Sequence, residues 1–215
     1  MSRTYVIADL HGRADLLREA LNAIERRRDG QPATIITLGD YIDRGPDSRL
    51  VVERLMAGSP SADVTMVNLK GNHEAMMLEC QGSADPTWRI HNGGDTTLSS
   101  YGGVVPEDHL DWAKRLKLCH TDTCRIYVHA GVDPGLSIDR QDEQFALWVR
   151  YGDDPDVHYP DKHIVHGHTP ARNGPQLFSG RTNLDTGAFH TGRLVIGVFD
   201  DAQPGGPIDL MEVTA

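Results

Sequence analysis

This chain of 215 residues has only three cysteines and no long hydrophobic run. Cys119 and Cys124 lack the second pair of ligands that a structural zinc site needs, and Cys80 is far from both in sequence. We therefore expect reduced cysteines and a cytoplasmic protein. No stretch approaches the roughly 18 apolar residues of a membrane span, and the N-terminal residues lack the apolar core of a signal peptide. We expect no membrane association.

Positive charge is also scarce. The chain has 21 Lys and Arg residues against 31 Asp and Glu residues, for a formal net charge of -10. Binding to a nucleic-acid backbone needs a basic face, so nucleic acid is excluded as a general partner, although a local basic pocket is still compatible with this charge. The length and the hydrophobic content of 39% predict a single domain, residues 1–215, with a sizeable core.

The first half of the chain alternates between strand and helix patterns. Apolar strand-like runs at residues 5–8, 34–38 and 64–69 are separated by helical patterns at 14–28 and about 48–56. The first helix has an apolar stripe formed by Leu16, Leu17, Ala20, Leu21 and Ile24. This order predicts a parallel sheet with right-handed crossovers.

The pattern becomes less regular between about residues 80 and 118, where we predict a helical excursion with flexible turns. Its segment from Trp88 to Tyr101 is positioned to form a wall or lid over a substrate. Strand-like runs follow at residues 125–128, 164–165, 182–187 and 194–199. They predict a second, more β-rich sheet packed on the first.

Polar residues follow the strands in five motifs. Ligands of α/β sheets gather outside the carboxyl ends of the strands, so these motifs are expected to meet at one edge. In chain order they are Asp9-x-His11, Gly39-Asp40-x-x-Asp43-Arg44-Gly45, Gly71-Asn72-His73-Glu74, His129-Ala130-Gly131 and Gly167-His168-Thr169.

The ligand types predict a centre of two divalent metal ions. Carboxylate, imidazole and amide groups without a thiolate suit Mn²⁺, our first choice, or Fe or Zn²⁺. A two-metal site needs a carboxylate that bridges ions about 3.5–4 Å apart, and Asp40 lies in sequence between the groups that serve each ion. We assign Asp9 and His11 to one ion, and three residues to the other: Asn72, His129 and His168.

The motifs closely resemble those of calcineurin-like metallophosphoesterases, and in particular the bacterial branch of the phosphoprotein phosphatase family. The resemblance extends from Asp9 to about Ala188 and includes Trp148-Val149-Arg150 and Gly167-His168-Thr169-Pro170. It implies an α/β fold, a four-layer α/β/β/α sandwich in which two packed mixed sheets are flanked by helices. It also implies the same metal ligands that the ligand chemistry suggests.

The resemblance further implies a mechanism. A hydroxide that bridges the metals attacks phosphorus directly, and His73 protonates the leaving alkoxide. Asp43 would orient the imidazole and favour its charged form. Arg44 and Arg150 would bind the non-bridging phosphate oxygens, because a planar guanidinium matches phosphate in bidentate fashion.

Taken singly, these residues have structural interpretations. Asp9, Asp40 and Asn72 are common helix caps or turn residues, and Asp43 with Arg44 is a common surface ion pair. Their combination in order favours the site. We expect two further residues, His166 and Asp185, to support the site without binding metal, and we assign no role to the remaining histidines: His91, His109, His120, His158, His163 and His190.

Three functions are compatible with the motifs. We prefer a phosphatase that acts on phosphoserine and phosphothreonine in a protein or peptide. The alternative is a symmetrical dinucleoside polyphosphate hydrolase acting on diadenosine tetraphosphate. In that group the second acidic residue of the Gly-Asp-x-x-Asp-Arg-Gly loop tends to be lost, whereas Asp43 is present here. A non-catalytic scaffold on a decayed fold is disfavoured, because His73, Asp43 and Arg44 are intact.

Overall fold

The computed structural model describes residues 3–59, 61–81, 87–151 and 157–215, and within these ranges ten strands form the centre of the fold. The strands are β1 (Arg3–Ile7), β2 (Ala33–Thr37), β3 (Val64–Asn68), β4 (Cys119–Thr121), β5 (Arg125–Val128), β6 (His163–His166), β7 (Gln176–Leu177), β8 (Arg181–Asn183), β9 (Arg193–Asp200) and β10 (Asp209–Thr214).

Eight helices accompany the strands in the described ranges. They are α1 (Ala14–Arg28), α2 (Ser48–Met56), α3 (Asn72–Glu79), α4 (Thr87–His91), α5 (Gly94–Ser100), α6 (Glu107–Lys114), α7 (Glu143–Trp148) and α8 (Ala188–Thr191). None of them combines the length and the apolar character that crossing a membrane requires.

The strands form two mixed sheets of five. The first sheet has the order β10-β9-β1-β2-β3, in which β1, β2 and β3 are parallel and β9 pairs antiparallel with β1. The second has the order β4-β5-β6-β8-β7, with β5, β6 and β8 parallel. In both sheets, loops that can carry ligands therefore follow the carboxyl ends of parallel strands.

Side chains alternate between the two faces of each strand, and this alternation builds the layers. In β1, Tyr5 and Ile7 pack with α1 and its neighbouring helices, whereas Val6 faces the second sheet. Tyr127 in β5 faces the first sheet, and Ile126 packs outward beneath the segment that carries α7. Two sheets flanked by helices confirm the predicted α/β sandwich.

The helices α4, α5 and α6 lie within the segment predicted to be a helical excursion, and the part of that prediction on residues 82–86 lies outside the described residues. The same holds for the N-terminal prediction on residues 1 and 2. One strand prediction was wrong. The run at 194–199 is in β9, which pairs with β1 in the first sheet instead of extending the second. Antiparallel pairing with β1 needs no crossover helix, so periodicity could not assign the sheet.

Apolar side chains packed in the layer between the two sheets should contribute to the stability of the fold. Ile36 in β2 is 1% exposed and packs in that layer. We expect Ile36→Ala to lower the free energy of unfolding by about 2–4 kcal/mol, because it removes buried methyl groups and leaves a cavity. Urea denaturation measures the loss. Leu50→Ala is the control because Leu50 is 52% exposed, and equal losses in both variants would contradict the assignment of this layer.

Candidate metal centre and active site

The six predicted metal ligands lie at one edge of the two sheets. All six side chains are buried, with at most 6% of any residue exposed. They follow the carboxyl ends of β1, β2, β3, β5 and β6, as predicted, and are Asp9, His11, Asp40, Asn72, His129 and His168.

Lone pairs converge in one half of this cluster. Asn72 Oδ1 is 2.9 Å from His129 Nε2 and 3.1 Å from His168 Nδ1, and Asp40 Oδ1 is 3.4 Å from His129 Nε2. His129 Nδ1 donates to the Leu38 carbonyl at 2.9 Å, so the neutral ring presents Nε2 as an acceptor. Facing acceptors repel one another unless a cation lies between them. The donor set therefore fits a divalent ion.

The amide of Asn72 has a second orientation. Rotated by 180°, its nitrogen would donate to His129, His168 and Asp40 at 2.9–3.3 Å. That arrangement satisfies the acceptors by hydrogen bonds, whereas a bound cation selects the oxygen. The two orientations are thus linked to the presence of the ion.

A second group of ligand atoms shares Asp40. His11, Asp40 and His73 each place one such atom within 4.8 Å of the others, and Asp40, His129 and His168 do the same. His11 Nδ1 donates to the Ile42 carbonyl at 2.8 Å, so the neutral ring presents Nε2 as an acceptor, 3.4 Å from Asp40 Oδ2. Membership in both groups is the position expected of a bridging carboxylate.

Burial perturbs the acids and the imidazoles in opposite directions. It raises the pKa of Asp9 and of Asp40 well above the usual value, and neighbouring carboxylates add to both shifts. It lowers the pKa of His11 and His129 well below the usual value. Neutral imidazoles are the form that binds metal, and crowded carboxylates gain most from a nearby cation.

The backbone around the ligands is strained. Positive φ angles occur at His11 (43°), Asp40 (53°), Asp43 (73°), Arg44 (69°) and His168 (65°). Non-glycine residues adopt this left-handed conformation at an energetic cost, and such residues cluster where function requires a particular side-chain direction.

Two motif glycines are required by close approach to ligands. A Cβ atom on Gly71 would lie 2.3 Å from Asp40 Oδ1, and one on Gly167 would lie 2.1 Å from Asp9 Oδ1. The Asp9 carboxylate also accepts a bond from the His168 backbone N–H at 3.1 Å. Any side chain at Gly71 or Gly167 would displace a ligand.

Glu74 joins the loops that follow β2 and β3. Its carboxylate accepts bonds from the backbone N–H groups of Asp40, Tyr41 and Gly71, each at 2.9 Å. Glu74 is 1% exposed, and burial raises its pKa to about 7. Glu74 belongs to the Gly71-Asn72-His73-Glu74 motif, but the motif alone assigned it no role. Its position three residues after Gly71, the N-cap of α3, could have predicted this role, because Glu at that position commonly accepts a hydrogen bond from the backbone of the cap.

His73 and Asp43 form a buried pair. His73 Nδ1 donates to Asp43 Oδ2 at 2.6 Å, and the indole of Trp88 donates to the same oxygen at 2.7 Å. Thr97 donates to Asp43 Oδ1 at 2.5 Å. Trp88 and Thr97 come from α4 and α5, so this part of the excursion supports the pair. Nothing in the sequence pattern indicated that role for Thr97.

The pKa of His73 differs from the sequence expectation. Burial is the largest influence and lowers the pKa, whereas Asp43 raises it, and the net direction is downward. Asp43 therefore shifts the pKa of His73 in the predicted direction, upward. The opposing effect of burial could not be predicted from motif spacing.

Arg44 is exposed, but its guanidinium reaches into the cluster. Its two terminal nitrogens donate to His11 Nε2 at 2.7 Å and to His73 Nε2 at 3.0 Å. Arg150 is exposed, and it makes no hydrogen bond or ion pair with the described residues. Burial lowers the pKa of His168 to about 4, and the charge of Arg150 adds to that shift. Arg44 therefore contacts the cluster directly, whereas Arg150 has no described contact with it.

His166 and Asp185 lie behind the ligands. His166 Nδ1 donates to the Gly167 carbonyl at 3.0 Å, and Arg181 donates to Nε2 at 3.2 Å. Asp185 is 2% exposed, and its charge helps to raise the pKa of Asp9. These contacts agree with the predicted supporting positions.

Comparison with known proteins gives a consistent result. A model of calcineurin-like phosphoesterases matches residues 2–197. Serine/threonine-protein phosphatase 1 of Salmonella typhimurium is 30% identical over 206 residues, 89% of each chain. The symmetrical bis(5'-nucleosyl)-tetraphosphatase of Nitrosospira multiformis is 31% identical over 144 residues, which are 66% of this chain and 48% of that protein. The match therefore spans about half of that tetraphosphatase.

A solved structure shares the fold. A crystal structure provisionally described as a diadenosine tetraphosphatase has a TM-score of 0.73 and 23% sequence identity. The match covers 99% of this chain and 93% of the other. At this identity the likeness concerns the fold alone.

Glu74 offers a test of how the ligand loops are held. We expect Glu74→Gln to lower the free energy of unfolding by about 1–3 kcal/mol, because the amide nitrogen faces backbone donors and leaves a buried group unsatisfied. Affinity for Mn²⁺ should fall as well, because Asp40 loses its backbone support. Urea denaturation and metal titration measure these effects. Glu79→Gln on the exposed face of α3 is the matched control, and equal behaviour of the two variants would contradict the role of Glu74.

Proposed function

Because the chain belongs to the calcineurin-like phosphoesterase family, we propose that it is a phosphatase of phosphoserine and phosphothreonine in proteins or peptides. Membership makes it a metal-dependent phosphoester hydrolase; the choice of substrate is our inference. The observation that carries it is the hydrogen bond of 2.6 Å between His73 and Asp43 beside Arg44. An alkyl phosphate has a poor leaving group, so its cleavage benefits from such an acid.

Six residues would hold two divalent ions, with Mn²⁺ as the first metal to test. Asp9 and His11 would serve one ion, Asn72, His129 and His168 the other, and Asp40 both. When bound, the ions would supply Lewis acidity toward the phosphoryl oxygens and toward water. The converging acceptors of Asn72 and His129 support this assignment.

The protein's own groups would bind the ester and supply a proton. Arg44 would turn from the imidazoles to the phosphate oxygens, and Arg150 would bind them as well. This position of the phosphate would bring its leaving oxygen next to His73 Nε2, which is 3.0 Å from Arg44. Asp43 would keep the imidazole proton on Nδ1 and stabilise the charged ring before it gives up the proton at Nε2.

A symmetrical dinucleoside polyphosphate hydrolase is the second candidate. The similarity to the Nitrosospira multiformis tetraphosphatase favours it, although the match spans 48% of that protein. Asp43 favours the phosphatase, because it is the acidic residue that tends to be lost in the polyphosphate group. The net charge of -10 also gives no general attraction for a polyanion. Cytoplasmic location stays a prediction from the sequence.

Side-by-side turnover tests the substrate. Metal-stripped protein is given Mn²⁺ and assayed with a phosphoserine peptide and with diadenosine tetraphosphate. We expect metal-dependent phosphate release from the peptide and little cleavage of the dinucleotide. Preference for the dinucleotide would overturn the proposed substrate while keeping the metal-dependent hydrolase.

His73→Ala tests the acid. We expect turnover of a phosphoserine peptide to fall by about 10²–10⁴, the usual contribution of general acid–base catalysis. The loss with p-nitrophenyl phosphate should be smaller, because nitrophenolate leaves without a proton. The metal content should stay at the wild-type value, since His73 is assigned as an acid and not as a ligand.

The exposed His91 provides the matched control, His91→Ala, for which no loss is expected. Loss of one metal ion per chain in His73→Ala would identify His73 as a ligand. Equal losses with the two substrates would remove it from the acid role.

A further inference from the structure

A cavity of about 190 Å³ opens next to the candidate phosphate site. It is lined by Arg44, Pro170, Arg172, Gly187, Phe189 and His190. It shares Arg44 with the catalytic cluster, but none of its other lining residues has a role in the chemistry proposed above. A substrate bound to Arg44 by its phosphate would therefore lie at the mouth of this cavity.

The walls of the cavity are attached to the metal site. The Arg44 guanidinium carbon lies 5.0 Å from the centre of the Phe189 ring, and that ring meets His11 edge to face at 5.3 Å. Pro170 comes two residues after His168. The carbonyl of Ala188 accepts a bond from Arg13 at 3.1 Å, which fixes the start of α8. Phe189 and Pro170, two walls of the cavity, are therefore held next to residues of the predicted metal cluster.

The lining is cationic in an otherwise acidic chain. Arg172 is exposed and has no hydrogen bond or ion pair with any residue in the described ranges. Arg44 and Arg172 both carry a positive charge, and His190 adds a third group that can. On this flank Asp15 is engaged by Arg13 at 2.7 Å. Arg44 already contacts His11 and His73, so Arg172 is the cation of this lining that lacks a described partner, and a concave surface with such a charge favours an anionic group.

We propose that this cavity binds a second anionic group of the substrate, the carboxylate of an acidic residue adjacent to the phosphoserine or phosphothreonine. This inference rests on the proposed function and adds a preference to it. The guanidinium of Arg44 already covers one face of the Phe189 ring. That face of the ring is therefore not available to stack on a substrate, and the cavity would recognise its ligand mainly by charge. Arg172 would then be the residue that determines specificity.

Matched phosphopeptides test the preference. The residues on either side of phosphoserine are changed one at a time from Gln to Glu, and kcat/KM is measured with Mn²⁺ for each peptide. At one of these positions we expect wild-type protein to prefer Glu about three- to fivefold, the size expected of a partly exposed ion pair. In Arg172→Gln the ratio should fall to about one. The ratio is taken within each variant, so a general change in activity does not enter it.

Arg26→Gln is the matched control, since it removes one positive charge from an exposed arginine in the last turn of α1. It should keep the wild-type ratio. A wild-type enzyme indifferent to Glu, or an Arg172→Gln variant that retains the preference, would overturn the inference. Loss of diadenosine tetraphosphate cleavage in Arg172→Gln, with peptide ratios unchanged, would assign the cavity to a nucleotide phosphate instead. Inert phosphoserine peptides alongside active hydrolysis of p-nitrophenyl phosphate would reject the proposed function itself.

Discussion

Mutual repulsion among buried acceptors is the constraint on which the site depends. Asp9 and Asp40 are carboxylates with at most 3% exposure, and Asn72 and His129 direct lone pairs at the same space. Burial removes the water that would otherwise solvate these groups, so a cation is the natural compensation. The left-handed backbone at Asp40 and the close packing at Gly71 hold the acceptors in place against this repulsion.

Much of this arrangement is visible in the sequence because ligands of a sheet edge follow strands. Asp40 comes after an apolar run, and the left-handed conformation at such a position is tolerated best by Asn, Asp and glycine. The order of runs predicted the first three parallel strands, and the motifs predicted that six polar residues would meet at one edge, whereas their role as metal ligands stays a prediction. These are consequences of local pattern, which a single sequence contains.

The remainder depends on contacts between distant segments. The pairing of β9 with β1 is antiparallel and leaves no local signature, so the strand was placed in the wrong sheet. Thr97 donates a hydrogen bond to Asp43, 54 residues away in the chain, and the sequence around Thr97 does not predict that partner. The net fall in the pKa of His73 has the same origin, because it reflects burial by the whole fold.

The backbone bond from His168 to Asp9 joins residues that are 159 positions apart. Contacts of such high sequence separation form only after most loop entropy has been lost. A chain with only the first sheet assembled would hold four of the six predicted ligands, and one with only the second sheet would hold two. The complete cluster therefore requires both sheets, so we expect metal affinity to report on the joining of the two sheets and not on either sheet alone.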